Sequence, residues 1–178
     1  MATVHMMVGI PGSGKSYYSN YLNKLYGYHI ISTDRVRMEH PDWEESLIWP
    51  EVYRLVGYFL KNNEDVIFDA TNITPKVRNR FKDEVNKHYT SYDMIAYYFD
   101  TPVDECVKRV DVRNNLPGNL FLPLDVIKSY GERIITSSSY QFPQIPVPYS
   151  SYNKHGKVLA TTNLSGLVSK HGLSHKKA

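Results

Sequence analysis

Short apolar runs alternate with amphipathic stretches along most of this chain. Four runs have the length and composition of buried strands, and they cover Val4–Val8, His29–Ser32, Asp65–Phe68 and Met94–Phe99. The stretches between them place apolar residues at helical spacing, and a further candidate strand lies at Lys157–Thr162. Strands that alternate with helices are typical of right-handed βαβ units and a parallel sheet. The pattern predicts an α/β fold, a three-layer α/β/α sandwich around a central parallel sheet of four or five strands.

Prolines mark the predicted helix starts, because proline fits the first helical position and a preceding hydroxyl can cap the helix. The predicted starts are Thr74-Pro75, Thr101-Pro102, Leu122-Pro123 and, for a helix near Glu51–Leu60, Pro50. The helix that follows Pro123 is predicted to run to about residue 135. In such a fold, ligands bind at the carboxyl ends of the strands.

The pattern changes near residue 136. We expect one domain over residues 1–136 and a C-terminal extension over residues 137–178 that packs on the same domain. Ser137–Tyr152 is rich in Ser, Pro and Tyr, which favours an extended path. The last residues, from Ser169, are small, polar and basic, and we expect them to be disordered.

Composition narrows the class of protein only modestly. The chain has 178 residues, a formal net charge of +3 and a pI near 8.8, which permits a nucleic-acid partner without requiring one. Its single cysteine, Cys106, excludes an internal disulfide and suits a reducing compartment. No apolar run approaches membrane-spanning length, and the N-terminus has no signal pattern. We therefore expect a soluble cytoplasmic protein with no membrane partner.

The run Gly9–Ser16 fills every fixed position of G-x-x-x-x-G-K-[ST] and stands between a predicted strand and a predicted helix. Such a loop directs backbone N–H groups at phosphate oxygens, and the helix N-terminus adds favourable dipoles. The lysine reaches the β- and γ-phosphates, while the hydroxyl holds Mg²⁺. We expect ATP and Mg²⁺ to be bound here, with contacts from Gly12, Ser13, Gly14, Lys15 and Ser16.

Two charged side chains follow the second strand, beside the expected phosphate site. Asp34 is placed to accept a proton from an attacking hydroxyl. Arg37 lies on the same face if a helical turn starts here, and it can hold an anionic acceptor. In the alternative interpretation, Asp34 only caps that helix and Arg37 is solvated.

Asp69 follows the third strand, in the position of a Walker-B aspartate that orients Mg²⁺ or its waters. The helix after it has a predicted buried stripe at Val77, Phe81 and Val85. Its basic residues are then expected on the solvated surface. Arg78, nearest the strand end, is the one of these that we suspect of function.

The helix from Thr101 has a predicted core face that includes Cys106, which is better explained as a small buried residue than as a nucleophile. Arg109 and Arg113 lie beside that face and precede a loop rich in Asn, Pro and Gly. Arginines there can close over a triphosphate and neutralise charge as the γ-phosphoryl group leaves. We predict that both bind the nucleotide; the alternative is a pair of surface charges.

The motifs occur in an order that resembles the kinase domain of the bacteriophage-type polynucleotide 5′-hydroxyl kinases. The shared features are Gly9–Ser16, Asp34 with Arg37, Asp69–Asn72 with Arg78, Phe99–Pro102, Val107–Arg109 with Arg113, and Leu122–Ile127. They cover the chain to about Arg133. A P-loop alone is common to many unrelated enzymes, whereas the ordered set is far more selective.

This resemblance implies a P-loop kinase fold with a helical lid over residues 1–136. The roles it implies are donor-phosphate and metal ligands at Lys15 and Ser16, a general base at Asp34, an acceptor-phosphate clamp at Arg37, a lid arginine at Arg113, and a metal or acceptor contact at Asp69. We expect Asn72 and Arg78 to bind the substrate. No Asp-x-Asp triplet occurs in the chain, so we expect no accompanying phosphatase activity. The segment of residues 40–49 has no clear family counterpart, and its Trp43 and Trp49 either stack on a base or pack in the core.

These features predict an ATP-dependent kinase that phosphorylates a hydroxyl. The acceptor that we expect is the 5′-hydroxyl end of DNA or RNA. The alternative acceptor is a nucleoside, a nucleotide, another small molecule or a hydroxylated DNA base. A binding module or ATPase switch without an acceptor is disfavoured, because it gives no reason for Asp34 and Arg37. The resemblance also suggests a role in nucleic acid repair, in the cytoplasm of a phage-infected host.

Overall fold

One sheet organises the computed structural model, which describes residues 1–138 and 158–163. Its strands are β1 (Thr3–Val8), β2 (His29–Ile31), β3 (Val66–Phe68), β4 (Asp93–Phe99) and β5 (Val158–Asn163). They lie in the order β2-β3-β1-β4-β5. The first four are parallel, as predicted, whereas β5 pairs antiparallel with β4 at the edge. An antiparallel edge strand on a parallel sheet is common in α/β folds.

Helices cover both faces of this sheet. They are α1 (Lys15–Tyr26), α2 (Thr33–Glu39), α3 (Glu45–Lys61), α4 (Pro75–Asn86), α5 (Val103–Asn114) and α6 (Leu124–Ser138). Alternate residues of a strand point to opposite faces, so Met7 packs in one apolar cluster with Tyr18 of α1. Met6 and Val8 pack in the other cluster, with residues of α3, α4, α5 and α6. The predicted three-layer sandwich is confirmed.

The helix expected after Pro50 begins earlier than predicted. It starts at Glu45 and contains Pro50 in its interior. Ile48 is fully buried on the same face as Val52 and Val56, one and two turns further on. Burial of this apolar face therefore stabilises the helix by more than the loss of one backbone hydrogen bond at Pro50 destabilises it.

The predicted caps have mixed outcomes. Thr74 caps α4 by accepting a hydrogen bond from the amide of Val77. Thr101 does not cap α5; its hydroxyl donates to the carbonyl oxygen of Ser13, at 2.8 Å. Helix α6 begins directly after Pro123 and extends beyond the predicted end, to Ser138.

Most of the predicted C-terminal extension, residues 139–157 and 164–178, lies outside the described residues. Its packing, its proline-rich path and its disordered end stay predictions. Within the described part of the chain, no helix combines the length and the apolar character needed to cross a bilayer.

A buried polar network joins β1, β4 and the residue before β3. The Nδ1 atom of His5 lies 2.9 Å from the hydroxyl oxygen of Tyr97, and its Nε2 atom lies 3.4 Å from the Oδ2 atom of Asp65. The amide of Thr3 donates to the Oδ1 atom of Asp65 at 2.8 Å. Tyr28 stacks on the His5 ring, with centroids 4.5 Å apart. Hydrogen bonds satisfy these buried polar groups, which keeps the network from being destabilising.

Candidate active site

The loop of residues 9–14 joins β1 to α1 in a conformation that requires glycine. Gly12 and Gly14 have φ angles of 83° and 101°, in the left-handed region that side chains disfavour. A Cβ atom on Gly12 would lie 2.7 Å from the carbonyl oxygen of Cys106 in α5. The loop is therefore packed directly against α5, and a larger residue at Gly12 would push the two apart.

Three further contacts hold this loop from outside. The amide of Gly9 donates to the carbonyl of Thr71 at 3.0 Å. The hydroxyl of Thr101 donates to the carbonyl of Ser13, and the Nη1 atom of Arg109 donates to the carbonyl of Gly12 at 3.2 Å. The loop is thus braced by the β3–α4 connection and by α5, which suits a site that must hold phosphate groups in a fixed geometry.

Lys15, the first residue of α1, lies at the centre of the site. Its side chain is buried and its ammonium donates to the carbonyl of Ile10 at 2.8 Å. Burial lowers the pKa of this ammonium, Asp69 and Asp34 raise it, and Arg113 lowers it. Burial has the largest effect, so the pKa of Lys15 lies below its ordinary value although Asp69 and Asp34 oppose that shift.

Asp34 and Arg37 lie one turn apart on α2, at the carboxyl end of β2. The helix is capped by Ser32, whose hydroxyl accepts from the amide of Arg35, so Asp34 is not the cap. The Nη1 atom of Arg37 donates to the Oδ1 atom of Asp34 at 2.8 Å. The prediction that the two share a helix face is confirmed, and the side chain of Asp34 remains largely exposed.

Arg37 has a second partner that the sequence did not indicate. Its Nε atom donates to Oε2 of Glu45 at 3.0 Å, and its Nη2 atom to Oε1 at 2.5 Å. Hydrogen bonds to Glu45 raise the pKa of Arg37, and those same bonds lower the pKa of Glu45. Sequence reasoning missed this contact because Glu45, the first residue of α3, lies in a stretch of the sequence that has no distinctive motif.

Ser16 and Asp69 are the predicted metal ligands. Ser16 is exposed in the first turn of α1, and Asp69 directly follows β3, where its amide donates to the carbonyl of Ile31 at 3.0 Å. Protein sites for Mg²⁺ commonly supply only one or two oxygen ligands, the rest being phosphate oxygens and waters. A hydroxyl and a carboxylate near Lys15 fit that donor set, and Mg²⁺ would neutralise charge on the phosphates there.

Asn72 and Arg78 are buried and contact the backbone of their own region. Asn72 adopts a φ of 49°, and its Nδ2 atom donates to the carbonyl of Met7 at 2.8 Å. The Nη1 atom of Arg78 donates to the carbonyl of Asn72 at 2.7 Å, and burial lowers the pKa of Arg78 to about 10. These contacts fix the loop after β3. The substrate-binding role expected of both residues stays a prediction.

The buried face of α4 differs from the predicted stripe. Val77 is 37% exposed, while Arg78 is only 3% exposed and lies on the buried face with Phe81 and Val85. The prediction that Val77 belongs to the buried stripe was wrong. Arg78 is buried in its place, because its guanidinium has a backbone hydrogen-bond partner and can therefore occupy a core position.

Helix α5 carries the two predicted nucleotide-binding arginines, and Arg109 contacts the loop. Arg109 donates to Glu105, one turn earlier, at 2.9 Å, as well as to the carbonyl of Gly12. The Nε atom of Arg113 is buried and has no hydrogen-bond partner among the described residues. Cys106, on the same helix, is buried, and burial raises the pKa of its thiol to about 11. The prediction of a core cysteine is confirmed.

The connection from α5 to α6 is tied at its base. The side chain of Asn114 donates to the carbonyl of Leu122 at 2.8 Å and accepts from its amide at 3.0 Å. Beyond this clasp, Leu116, Leu120 and Phe121 are exposed. The predicted loop is present, but its two ends are held together.

The two tryptophans of the segment after α2 have different surroundings. Trp43 is 38% exposed and stacks on His40, with ring centroids 3.7 Å apart. Trp49 is partly buried and packs against the large apolar cluster. Packing in the core therefore describes Trp49 but not Trp43.

The parallel sheet, the P-loop between β1 and α1 and the bracing α5 helix define a P-loop domain of the kinase-like class, a fold that implies ATP use. A family described as an AAA domain matches residues 4–134. The chain belongs to this family. No curated protein matches the chain at a significant level.

Solved structures extend this assignment. The chain is similar to a protein in the Pnkp1/Rnl/Hen1 RNA repair complex, at 28% identity and a TM-score of 0.67, over 78% of this chain and 45% of that one. A second structure of a Pnkp1/Rnl/Hen1 complex matches at 29% identity and a TM-score of 0.53, over 61% and 39%. This chain thus spans less than half the length of the proteins it matches there.

A more distant likeness concerns the fold alone. A protein of Chloroflexus aurantiacus, provisionally assigned as a kinase, matches at 14% identity and a TM-score of 0.60, over 71% of this chain and 74% of that one.

Proposed function

We propose that this protein is an ATP-dependent kinase that phosphorylates the 5′-hydroxyl end of a nucleic acid. The observation that carries the proposal is the Asp34–Arg37 pair, which α2 holds at the carboxyl end of β2; the Asp34 carboxylate also raises the pKa of Lys15 in the P-loop. A carboxylate beside a phosphate-binding loop is placed to accept a proton, and a neighbouring guanidinium is placed to bind a phosphate.

In the proposed reaction, the acceptor hydroxyl gives its proton to Asp34 as its oxygen attacks the γ-phosphorus of ATP. The bond between that phosphorus and the β–γ bridging oxygen breaks, and ADP leaves. Arg37 binds the phosphate that is attached to the reacting nucleoside, which holds the hydroxyl in line. Lys15 and Arg113 stabilise the negative charge that develops on the transferred group.

Mg²⁺ is the proposed metal, held by Ser16 with support from Asp69. The metal supplies positive charge to the phosphate oxygens, as in other P-loop enzymes. The protein's own part is to fix these two ligands at adjacent ends of α1 and β3.

The nucleic-acid acceptor has independent support. The P-loop, Asp34–Arg37, Asp69–Asn72 and Arg113 follow the order of the bacteriophage-type polynucleotide kinases, and the 28% identical structure belongs to an RNA repair complex. This likeness supports a substrate with a nucleic-acid end. We extend the proposal to membership of the polynucleotide kinase group within the wider family.

A panel of acceptors tests the proposal. The protein is incubated with Mg²⁺ and ATP labelled at the γ-phosphate, together with 5′-hydroxyl oligonucleotides of DNA and RNA, free nucleosides, mononucleotides and duplexes with hydroxylated bases. We expect label at the 5′ ends of oligonucleotides. Label confined to a nucleoside, a mononucleotide or a hydroxylated base would replace the proposal with a kinase of that acceptor.

A further inference from the structure

Arg37, the proposed acceptor clamp, uses most of its donors within the protein. Its Nη1 atom donates to Asp34, while its Nε and Nη2 atoms form two parallel bonds to Glu45. Such a fork fits a carboxylate or a phosphate equally well. The carboxylate of Glu45 therefore occupies the edge of Arg37 that a phosphate would use.

The charges around Arg37 also oppose the binding of a phosphate. One guanidinium faces the two carboxylates of Asp34 and Glu45, so the cluster carries a net charge of −1. An acceptor phosphate that approaches Arg37 meets both an occupied fork and a repulsive charge. Glu45 is 60% exposed at the start of α3 and holds the Nε and Nη2 edge that a phosphate would use, whereas Asp34 holds only Nη1. Glu45 is therefore the partner that a phosphate displaces.

We propose that Glu45 is a specificity-determining residue that competes with the acceptor phosphate for Arg37. This inference rests on the proposed function and deepens it. A phosphate binds Arg37 only when it displaces Glu45, and Asp34 stays paired with Nη1 of Arg37 meanwhile. Acceptors that add further contacts beyond one phosphate, as a polynucleotide does, overcome this competition most easily.

Helix α3 also offers a matched control. Arg54 donates to the two carboxylate oxygens of Glu51 through Nε and Nη2, each at 2.6 Å. This pair has the same bidentate chemistry within α3, and among the residues that the structure describes it forms no hydrogen bond or ion pair with the proposed site residues. Glu51→Gln therefore removes an equivalent charge and ion pair without freeing Arg37.

The test measures kcat and KM for two acceptors, a nucleoside with a 3′-phosphate and the same nucleoside without it. Glu45→Gln is expected to lower KM for the phosphorylated acceptor by about fivefold, the size expected for an exposed ion pair. Its kcat, and its KM for the bare nucleoside, are expected to match the wild type. Glu51→Gln should match the wild type on both acceptors. An unchanged KM in Glu45→Gln would overturn the inference.

Two further variants separate competition from simple charge and from helix stability. Glu45→Asp keeps a negative charge at the start of α3 but is one methylene shorter, so its KM for the phosphorylated acceptor should also fall. In an Arg37→Ala background, Glu45→Gln should lower KM far less than it does with Arg37 present, because only the charge repulsion is then removed. A fall in KM of full size without Arg37 would mean that Glu45 acts only as a general repulsive charge, which contradicts the inference.

The same data separate this inference from the proposed function. If the wild-type protein phosphorylates neither acceptor and no oligonucleotide, the proposed function fails. If it phosphorylates them and prefers the 3′-phosphate, while Glu45→Gln equals the wild type, the inference alone fails. Thermal unfolding of each variant confirms that a comparison concerns folded protein.

Discussion

At the scale of single residues, the site depends on a buried cation. Lys15 is 8% exposed, and its ammonium donates to the carbonyl of Ile10 across the loop. Burial disfavours its charged form, while Asp69 and Asp34 favour it. Burial has the larger effect, so the pKa of Lys15 lies below its ordinary value. In the proposed function this ammonium contacts phosphate oxygens.

Replacing Lys15 tests the donor site. Lys15→Met keeps most of the stem length but lacks the charge, so phosphoryl transfer should fall by about 10²-fold or more. The variant loses one buried hydrogen bond, which is worth only about 1 kcal/mol, so its thermal unfolding should change little. Steady-state kinetics and a thermal melt provide the two measurements. Turnover like that of the wild type would contradict the assignment of Lys15.

Asp34 is the proposed base, and its substitution separates chemistry from binding. Asp34→Asn preserves size but cannot take a proton at neutral pH, so kcat should fall by about 10²-fold or more while acceptor KM changes little. Kinetics at saturating ATP measure both constants. A rise in KM with an unchanged kcat would assign Asp34 to binding instead of proton transfer.

At the scale of elements, α5 links the P-loop to the proposed lid. Its first turn is preceded by Thr101, which holds Ser13, and its middle carries Arg109, which holds Gly12. Its last turn carries Arg113, whose buried Nε atom has no partner among the described residues. One helix therefore supports the loop and also carries the arginine that we propose as the lid residue.

Arg113 and Lys108 provide a matched pair of cations on this helix. Arg113→Ala should lower kcat by about 10³-fold, and lower it more than it weakens ATP binding, because a finger arginine acts on charge in the transition state. Lys108 is exposed, and Lys108→Ala should be nearly silent. Steady-state kinetics measure kcat, and equilibrium binding measures the Kd for ATP. If only ATP affinity changes in Arg113→Ala, the finger role is wrong.

Local sequence signals predicted the elements better than their long-range contacts. The four parallel strands, the P-loop and the shared face of Asp34 and Arg37 follow from hydrophobic periodicity and short motifs. The predicted start of α3 was wrong, because burial of Ile48 stabilises the helix by more than the proline at position 50 destabilises it. The Glu45–Arg37 pair and the Thr101–Ser13 bond join residues that tertiary packing brings together, so no local pattern indicates them.

At the scale of the whole molecule, the buried network of His5, Asp65 and Tyr97 joins three parts of the sheet away from the P-loop. Burial raises the pKa of Asp65, but hydrogen bonds from His5, the Thr3 amide and Tyr28 outweigh it, and the net pKa lies below 3.8. Because the folded-state pKa is depressed, the carboxylate's contribution to stability is complete well above pH 3.8 and is lost as the pH falls through the folded-state pKa.

Asp65→Asn tests this network. The variant should be less stable at neutral pH by about 1–2 kcal/mol, since it weakens charge-assisted hydrogen bonds. Its melting temperature should fall less steeply than that of the wild type as the pH drops toward acid. Asp111, exposed on α5, is the control, and Asp111→Asn should keep the wild-type pH dependence. Parallel acid slopes for Asp65→Asn and the wild type would exclude a stabilising carboxylate at Asp65.

In the proposed function, α2 receives an acceptor whose phosphate binds Arg37 while its hydroxyl meets Asp34. The most direct measurement is kcat/KM for a 5′-hydroxyl nucleoside with and without a 3′-phosphate, in the wild type and in Arg37→Ala. The wild type should strongly prefer the phosphorylated acceptor, and Arg37→Ala should lose that preference while it retains activity on the bare nucleoside, because an absent phosphate leaves the guanidinium nothing to bind. A wild type without preference, or equal losses on both acceptors, would contradict the account.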